Sequence, residues 1–333
     1  MKGAIFIISL DFELHWGGFE KWRLEKYSHY FLNTRRVIPQ MLSLFHQHKV
    51  HTTWATVGML FHASNTSLTT YCPTLKPSYH LSALSAYRFI DKHGIGATEK
   101  DDPFHYAATL VKQINDTPFQ ELASHTFAHY YCNEPGQTVE EFAADLQAAQ
   151  HSAELYGKKL RSLVFPRNQF NEEYLRACYD QGFIAVRDNP RDWFWNIEST
   201  QSESFWKRLN RGMDAYVPLG KRNTYKLESL SHKQGFPVCI PASRLLRPYK
   251  PNELFLNDLK IARVKFEMER AARKGEIYHL WWHPHNFGHY PQESLAGLRK
   301  ILDHFSLCRE RYGMISMSMA EIGTLVSNGS SDF

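Results

Sequence analysis

The chain has 333 residues, of which 43% are hydrophobic and 22% are charged, a balance typical of a folded globular protein and not of a disordered one. Its net charge of +5 is mildly basic, but no long run of lysine and arginine and no nucleic-acid-binding motif is present, so a nucleic-acid partner is not expected. No apolar stretch approaches the roughly 20 residues that cross a bilayer, and no membrane span is expected.

The N-terminal segment "AIFIISLDF" predicts a buried strand. It is too short for a signal peptide and ends in Asp11 and Glu13 without a small-residue cleavage site. The five cysteines are scattered and lack CxxC spacing, which favours reduced thiols over a disulfide framework. These features predict a cytoplasmic protein.

Strand and helix patterns alternate along much of the remaining chain. A helix is predicted at 33–48, with Asn33 or Thr34 as its cap, and another at 138–157, where Thr138 and Glu141 have capping-box spacing. Further strands are predicted at 50–58, 120–125, 160–168, 182–189 and 276–288, and further helices at 172–182 and 294–313. A short strand and a helix capped by Ser318 with Glu321 complete the series.

Repeated strand–helix units predict an α/β fold with a mostly parallel sheet, open or closed into a barrel. Two stretches, at about 61–118 and 190–275, lack the alternating pattern. They are expected to be irregular insertions on a single catalytic domain that spans residues 1–333.

Polar side chains recur where five of these strands end, and parallel strands bring such ends to one face of the fold. They are Asp11 and Glu13, His125 and His129, Arg167, Asp188, and His283. The histidine pair alone would say little, because the chain has 18 histidines. Its convergence with carboxylates from another strand predicts a metal site.

Asp11 and Glu13 are two residues apart, so on an extended strand they point to the same side. Two histidines and one carboxylate leave a coordination position open, as in a catalytic metal site. The other carboxylate is then expected to take a proton from a water that the metal activates. The alternative is that one carboxylate faces solvent or caps the following loop.

The order of motifs resembles the polysaccharide deacetylases of carbohydrate esterase family four. The motifs are "SLDFE", "SHTFAH", "VFPRNQF", "VRDNPRDW" and "HLWWHPHN", spread over most of the chain. The second has the H-[ST]-x-x-H pattern, whereas the first has Asp-Phe-Glu where many members have adjacent aspartates. The resemblance implies a distorted (β/α) barrel.

The resemblance also implies a role for each site residue. Glu13, His125 and His129 would bind one divalent metal, with Asp11 as the alternative carboxylate ligand; zinc is the default ion, and nickel, cobalt and manganese are alternatives. Asp11 would be the general base. The remaining roles are Arg167 paired with Asp11, His283 as the acid that protonates the leaving amine, Asp188 or Asp192 orienting His283, and a backbone N–H near Asn168 holding the oxyanion.

Several of these roles have alternatives. Arg167 could bridge loops without contacting Asp11, and His285 or His289 could replace His283 as the acid. Trp16, Trp193 and Trp281 or Trp282 lie near the motifs and are expected either to stack on a sugar ring or to belong to the core. Trp282 and Trp193 are assigned to substrate binding together with Trp16 and Asn168.

The resemblance implies a hydrolase that removes an acetyl or formyl group from the nitrogen of a sugar used in surface-polysaccharide or glycolipid synthesis. The basic stretches "GKRNTYK" and "SRLLRPYK" are solvated loops or bind the phosphate of a nucleotide- or lipid-phosphate-linked sugar. A glycosidase on a related barrel and a non-catalytic sugar-binding protein are the alternatives.

Overall fold

A computed structural model describes residues 3–195, 205–214 and 223–329. Nine strands lie in these residues: β1 (Ile5–Phe12), β2 (Thr52–Thr56), β3 (Gln120–Ser124), β4 (Ser162–Leu163), β5 (Ala185–Asp188), β6 (Val238–Pro241), β7 (Arg244–Leu245), β8 (Ile277–Trp282) and β9 (Ile315–Ser316). All of their pairings are parallel.

The strands are ordered β6-β5-β4-β3-β2-β1-β8-β7, and β9 pairs with the start of β1. Only Ala242 and Ser243 separate β6 from β7, so a single extended segment pairs with β5 in its first half and with β8 in its second. This change of partner closes the sheet on itself. The predicted distorted (β/α) barrel is confirmed.

Ten α-helices lie in the described residues, most of them packed around the strands. They are α1 (Leu24–Gln47), α2 (Asn65–Tyr71), α3 (Ala86–His93), α4 (Ala108–Asp116), α5 (Val139–Glu154), α6 (Glu172–Asp180), α7 (Phe205–Met213), α8 (Leu254–Lys274), α9 (Pro291–Tyr312) and α10 (Met319–Ser327). None of them is both long enough and apolar enough to cross a bilayer.

Local sequence signals set several helix boundaries. The capping boxes of Thr138 with Glu141 and of Ser318 with Glu321 are both formed, as predicted. The first helix, however, begins nine residues before its predicted start, because Leu24 and the tyrosine-rich stretch after it continue the buried face. Asn33 is therefore not a cap, and its side-chain amide instead donates to the Gly288 carbonyl, 2.9 Å away.

The stretch at 190–275 is not wholly an insertion. It supplies β6, β7 and α8, and so it contributes to the barrel wall. The strands were missed because β6 and β7 are short and contain Pro241 and Arg244, which interrupt the apolar pattern that usually indicates a strand. The stretch at 61–118 carries α2, α3 and α4 between β2 and β3.

Candidate active site

Four strands bring chemically capable side chains to one end of the barrel. Asp11 and Glu13 lie at the end of β1, His125 and His129 follow β3, Arg187 lies in β5, and His283 follows β8. Apart from His283, whose side chain is 27% exposed, these groups are buried. A buried polar cluster of this kind is stable only if its members pair with one another or with a ligand.

Glu13 lies between the two histidines of the predicted metal site. Its Oε2 is 3.0 Å from Nε2 of His129 and 3.3 Å from Nε2 of His125. One possible ligand atom from each residue falls within 4.8 Å of the other two. The three predicted metal ligands are thus together in one cluster.

The hydrogen bond of His125 indicates what this cluster needs. Its Nδ1 lies 2.8 Å from the Val164 carbonyl, which can only accept, so Nδ1 carries the proton. In the neutral ring, Nε2 then carries a lone pair, and it faces Oε2 of Glu13, 3.3 Å away. Such a pair is satisfied by a proton on Nε2 or by a bound cation, and the donor set of two imidazole nitrogens and a carboxylate fits a divalent metal.

The protonation states also suit metal binding. Burial raises the pKa of Glu13, but the adjacent His283, His125 and His129 outweigh it, so the pKa lies well below its usual range. Burial lowers the pKa of His129 in spite of its contact with Glu13. An ionised carboxylate and a neutral imidazole are the forms that ligate metals.

Helix α5 contacts the loop between the two histidines and stabilises it. The buried Asp145 carboxylate accepts the backbone N–H groups of Phe127, at 2.6 Å, and Ala128, at 3.0 Å. Thr126 and His129 both have positive φ angles, of 63° and 55°. Non-glycine residues adopt a positive φ only when their surroundings enforce it. The loop therefore holds the imidazole rings of His125 and His129 in fixed positions.

The turn after β1 is equally constrained. A Cβ atom on Gly17 would lie 2.0 Å from Oε1 of Glu13, so only glycine leaves room for that carboxylate. His15 ties the turn to neighbouring loops, with Nε2 2.7 Å from the Trp22 carbonyl and Nδ1 2.8 Å from Nε2 of His105. The conformation of Glu13 is therefore fixed by the turn that follows β1 as well as by the two histidines.

Asp11 is held by Arg187, not by Arg167. The guanidinium of Arg187 lies 2.5 and 2.7 Å from the two Asp11 oxygens and 4.2 Å from the Trp281 ring. Burial raises the pKa of Asp11, but the charge of Arg187 dominates and the pKa is lowered overall. A bidentate pair of this kind keeps Asp11 ionised and fixed in orientation.

The predicted pairing of Arg167 with Asp11 is wrong. Arg167 instead contacts Glu20, at 2.5 Å, and Glu134, at 3.5 Å, and lies 3.9 Å over the Tyr131 ring. The sequence placed Arg167 on a strand, but β4 ends at Leu163 and Arg167 adopts a left-handed φ of 55° in the following turn. The signal for Arg187 was available, because an arginine inside an otherwise apolar strand must have a buried partner.

The predicted oxyanion donor near Asn168 is also wrong. The Asn168 N–H donates to the Phe165 carbonyl at 2.9 Å, and the next N–H donates to Pro166. Asn168 contributes through its side chain instead, because its Oδ1 accepts from Arg187 at 3.2 Å.

His283 reaches both carboxylates. Its Nε2 lies 3.6 Å from Asp11 and 3.7 Å from Glu13. His285 also lies 3.7 Å from Glu13, but it is fully buried, and burial lowers its pKa to about 3. The other alternative, His289, packs on the Tyr30 ring. Position and solvent access thus favour His283 over both alternatives as a proton donor.

Neither predicted aspartate orients His283. Asp188 accepts the N–H of Asn189, and Asp192 accepts from the side chain of Asn223. Asp188 is the residue after Arg187 at the end of β5, so its side chain points to the opposite side of the strand. In the described part of the chain, the side chains that flank the His283 ring are Trp281 and His285.

The aromatic residues divide differently from the prediction. Trp16 and Trp282 have no exposed surface and are core residues, so neither can stack on a sugar. Trp281, on the opposite side of β8 from Trp282, packs against Arg187 and Trp195. Trp193 is 60% exposed, and its role in substrate binding stays a prediction.

The basic stretches are only partly described. Residues 220–222 of the first lie outside the described residues. In the second, Arg244 is buried and bound to Glu267 at 2.5 Å and Asp214 at 3.3 Å, which explains its place in the sequence without a phosphate ligand.

Residues 29–186, just under half of the chain, match the family model for polysaccharide deacetylase. Over these residues the match agrees with the resemblance that the sequence motifs predict. A comparison with curated protein sequences gave no match.

Solved structures with similar folds include proteins of more than one activity. A candidate polysaccharide deacetylase from Mycobacterium smegmatis is 13% identical with a TM-score of 0.59, covering 98% of this chain and 92% of that one. The Puue allantoinase is 11% identical with a TM-score of 0.58, covering 100% and 93%. The 4-alpha-glucanotransferase from Thermococcus litoralis is 11% identical with a TM-score of 0.55, covering 97% and 40%. At these identities the likeness shows the fold alone.

Replacing Arg187 should destabilise the protein. Arg187→Met leaves the Asp11 charge buried without a partner. We expect this change to lower the free energy of unfolding by about 3–5 kcal/mol at neutral pH, as measured by urea denaturation. Because the pKa of Asp11 is lowered in the folded state, the stability from this pair is present above the ordinary value of 3.8 and is lost as the pH falls through the folded pKa. The difference between wild type and variant should therefore shrink in acid.

The control for this experiment is the double variant Arg187→Met with Asp11→Asn, which removes both charges. It should recover part of the lost stability. Equal stabilities of the single and double variants would contradict a buried ion pair.

Metal content tests the ligand cluster. The purified protein should hold about one divalent ion per chain, and His125→Ala or His129→Ala should lose it, as measured by elemental analysis. His62→Ala removes a buried histidine outside the cluster and should retain the ion. Undiminished metal in both ligand variants would exclude this site.

Proposed function

We propose that the protein is a metal-dependent hydrolase that removes an N-acyl group, acetyl or formyl, from a sugar. The family match supports sugar deacetylation in general. The observation that carries the metal-dependent form is the buried group of Glu13, His125 and His129, in which acceptor atoms face one another. Zinc is the default ion for such ligands.

Glu13, His125 and His129 would hold the ion, which leaves Asp11 for proton transfer. When bound, a divalent ion would lower the pKa of water and stabilise negative charge on the acyl oxygen. Asp11 lies in β1, two residues before Glu13, and Arg187 fixes its carboxylate. In this arrangement Asp11 accepts the proton of the attacking water.

His283 is suited to the second proton transfer. Water adds to the acyl carbon, the C–N bond breaks, and the nitrogen must gain a proton to leave as an amine. His283 is near both carboxylates and retains contact with solvent, so it can deliver that proton and be reprotonated. The products are the free acid and the amino sugar.

The electrostatics of the site disfavour a glycosidase. Glycoside hydrolysis needs a carboxylic acid that stays protonated near neutral pH, which requires a raised pKa. Here the pKa values of Asp11 and Glu13 are both lowered.

The substrate that we propose is an N-acylated sugar of surface-polysaccharide or glycolipid synthesis, carried on a nucleotide or a lipid phosphate. The exposed Trp193 would contact the sugar. A cytoplasmic location, predicted from the unpaired cysteines, would match a precursor of this kind and not a finished polymer.

Release of an acid tests the reaction. Sugars from a cell extract, incubated with the metal-loaded protein, should lose one acyl group by mass spectrometry and yield acetate or formate. Arg187→Met is unsuitable as a blank because it should unfold more easily, so the protein stripped of metal is the matched control. New reducing ends without acid would instead indicate a glycosidase, and no product at all would indicate a binding protein.

The two carboxylates should separate in function. Asp11→Asn should keep the metal but lower turnover by about 10²–10⁴-fold, because an amide cannot accept the proton of water. Glu13→Gln should lose metal as well, since it removes an anionic ligand. Metal lost from Asp11→Asn and kept in Glu13→Gln would exchange the two roles, whereas full activity in both variants would contradict the hydrolase.

A further inference from the structure

Helix α8 carries apolar residues on the face that points away from the barrel. Its inner face is buried through Asn257, Lys260, Val264 and Met268. On the outer face, Phe255 is 79% exposed and Phe266 is 67% exposed. Large apolar side chains with this much exposure, several on one helix, indicate a contact surface.

The outer residues form a regular stripe. Phe255, Leu259, Ala262 and Phe266 follow one another at spacings of four, three and four residues, which is the a/d pattern of a coiled coil. Phe255, Ala262 and Phe266 are exposed and Leu259 is partly exposed. The inner face is buried against the body of the protein, so this second stripe has a separate purpose from folding.

The stripe is complementary to itself when reversed. In an antiparallel pair of α8 helices, Phe255 lies opposite Phe266 of a second copy, and Leu259 lies opposite Ala262. Each bulky residue at the centre then meets a small one, which allows the helices to approach closely.

The flanking charges are complementary in the same orientation. Asp258 and Lys265 both occupy the g position beside the stripe, and g positions of antiparallel helices face each other, so each Asp258 would meet a Lys265 of the second copy. Asp258 contacts Lys300 at 3.2 Å, but both side chains are more than half exposed, and such surface pairs contribute little. Among the described residues Lys265 has no ion-pair partner.

We propose that α8 is a homodimer interface, in which the helices of two copies pack antiparallel along Phe255, Leu259, Ala262 and Phe266. A membrane surface fits less well, because the stripe is narrow and is bordered by the acidic Asp258 as well as by Lys265. The end of the barrel that carries the active site is not used by this contact, since the stripe runs along the side of the barrel.

Sedimentation over a range of protein concentrations tests the interface. The wild-type protein should sediment as a dimer, and Ala262→Arg should sediment as a monomer, because a long charged side chain would separate the two stripes. Ala296→Arg places the same change on an exposed alanine of α9 and should remain dimeric. A wild-type protein that is monomeric at every concentration overturns the proposal, whether or not it binds anionic lipid vesicles.

Charge exchange tests the antiparallel register. Asp258→Lys and Lys265→Asp should each weaken the dimer at low salt, because each places like charges opposite one another. The double variant should restore the dimer, since the opposite charges are re-formed with their positions exchanged. A double variant that is weaker than either single variant would show that these residues do not face each other.

Discussion

The ion pair of Arg187 and Asp11 is the constraint on which the rest of the site depends. Three strands separate β5 from β1 in the order of the sheet, so the pair crosses the interior of the barrel. Both side chains are buried, and an ionised carboxylate in such a place is stable only with a partner of opposite charge. Because Arg187 also contacts Ser9 and Asn168, it fixes the position of β1 relative to the turn after β4.

Glu13 follows from this constraint, since it lies two residues beyond Asp11, directly after the end of β1. Gly17 leaves its carboxylate room, and the two histidines approach it from the loop after β3. The metal site and the base are thus positioned by separate contacts on a single strand end. In the proposed reaction, this separation would allow one carboxylate to bind an ion while the other transfers a proton.

The sequence predicted the parallel sheet and the ligand cluster because both depend on periodicity and on strand ends, whereas closure into a barrel was implied by the family resemblance. Apolar runs locate β1 and β8, and the residues after them must lie at one end of a parallel sheet. The predictions that were wrong concern the direction in which a side chain points, not its position along the chain. Arg167, Asp188 and Trp282 are all near the site in sequence, but a turn with a positive φ redirects the first, and strand alternation turns the other two away. A change of one residue reverses the side of a strand, and a motif match does not specify that choice.

The buried polar groups of the site destabilise the fold, and contacts in the surrounding loops offset this effect. Acceptors of Glu13 and His125 face one another in the interior, and Nδ1 of the buried His285 has no hydrogen-bond partner among the described residues. A buried polar atom is unfavourable unless it has a partner. The surrounding loops compensate with contacts that have no role in the chemistry, such as the two N–H groups that Asp145 accepts. A cation bound by Glu13 and His125 would satisfy both acceptors at once, so metal binding at this site would also stabilise the fold.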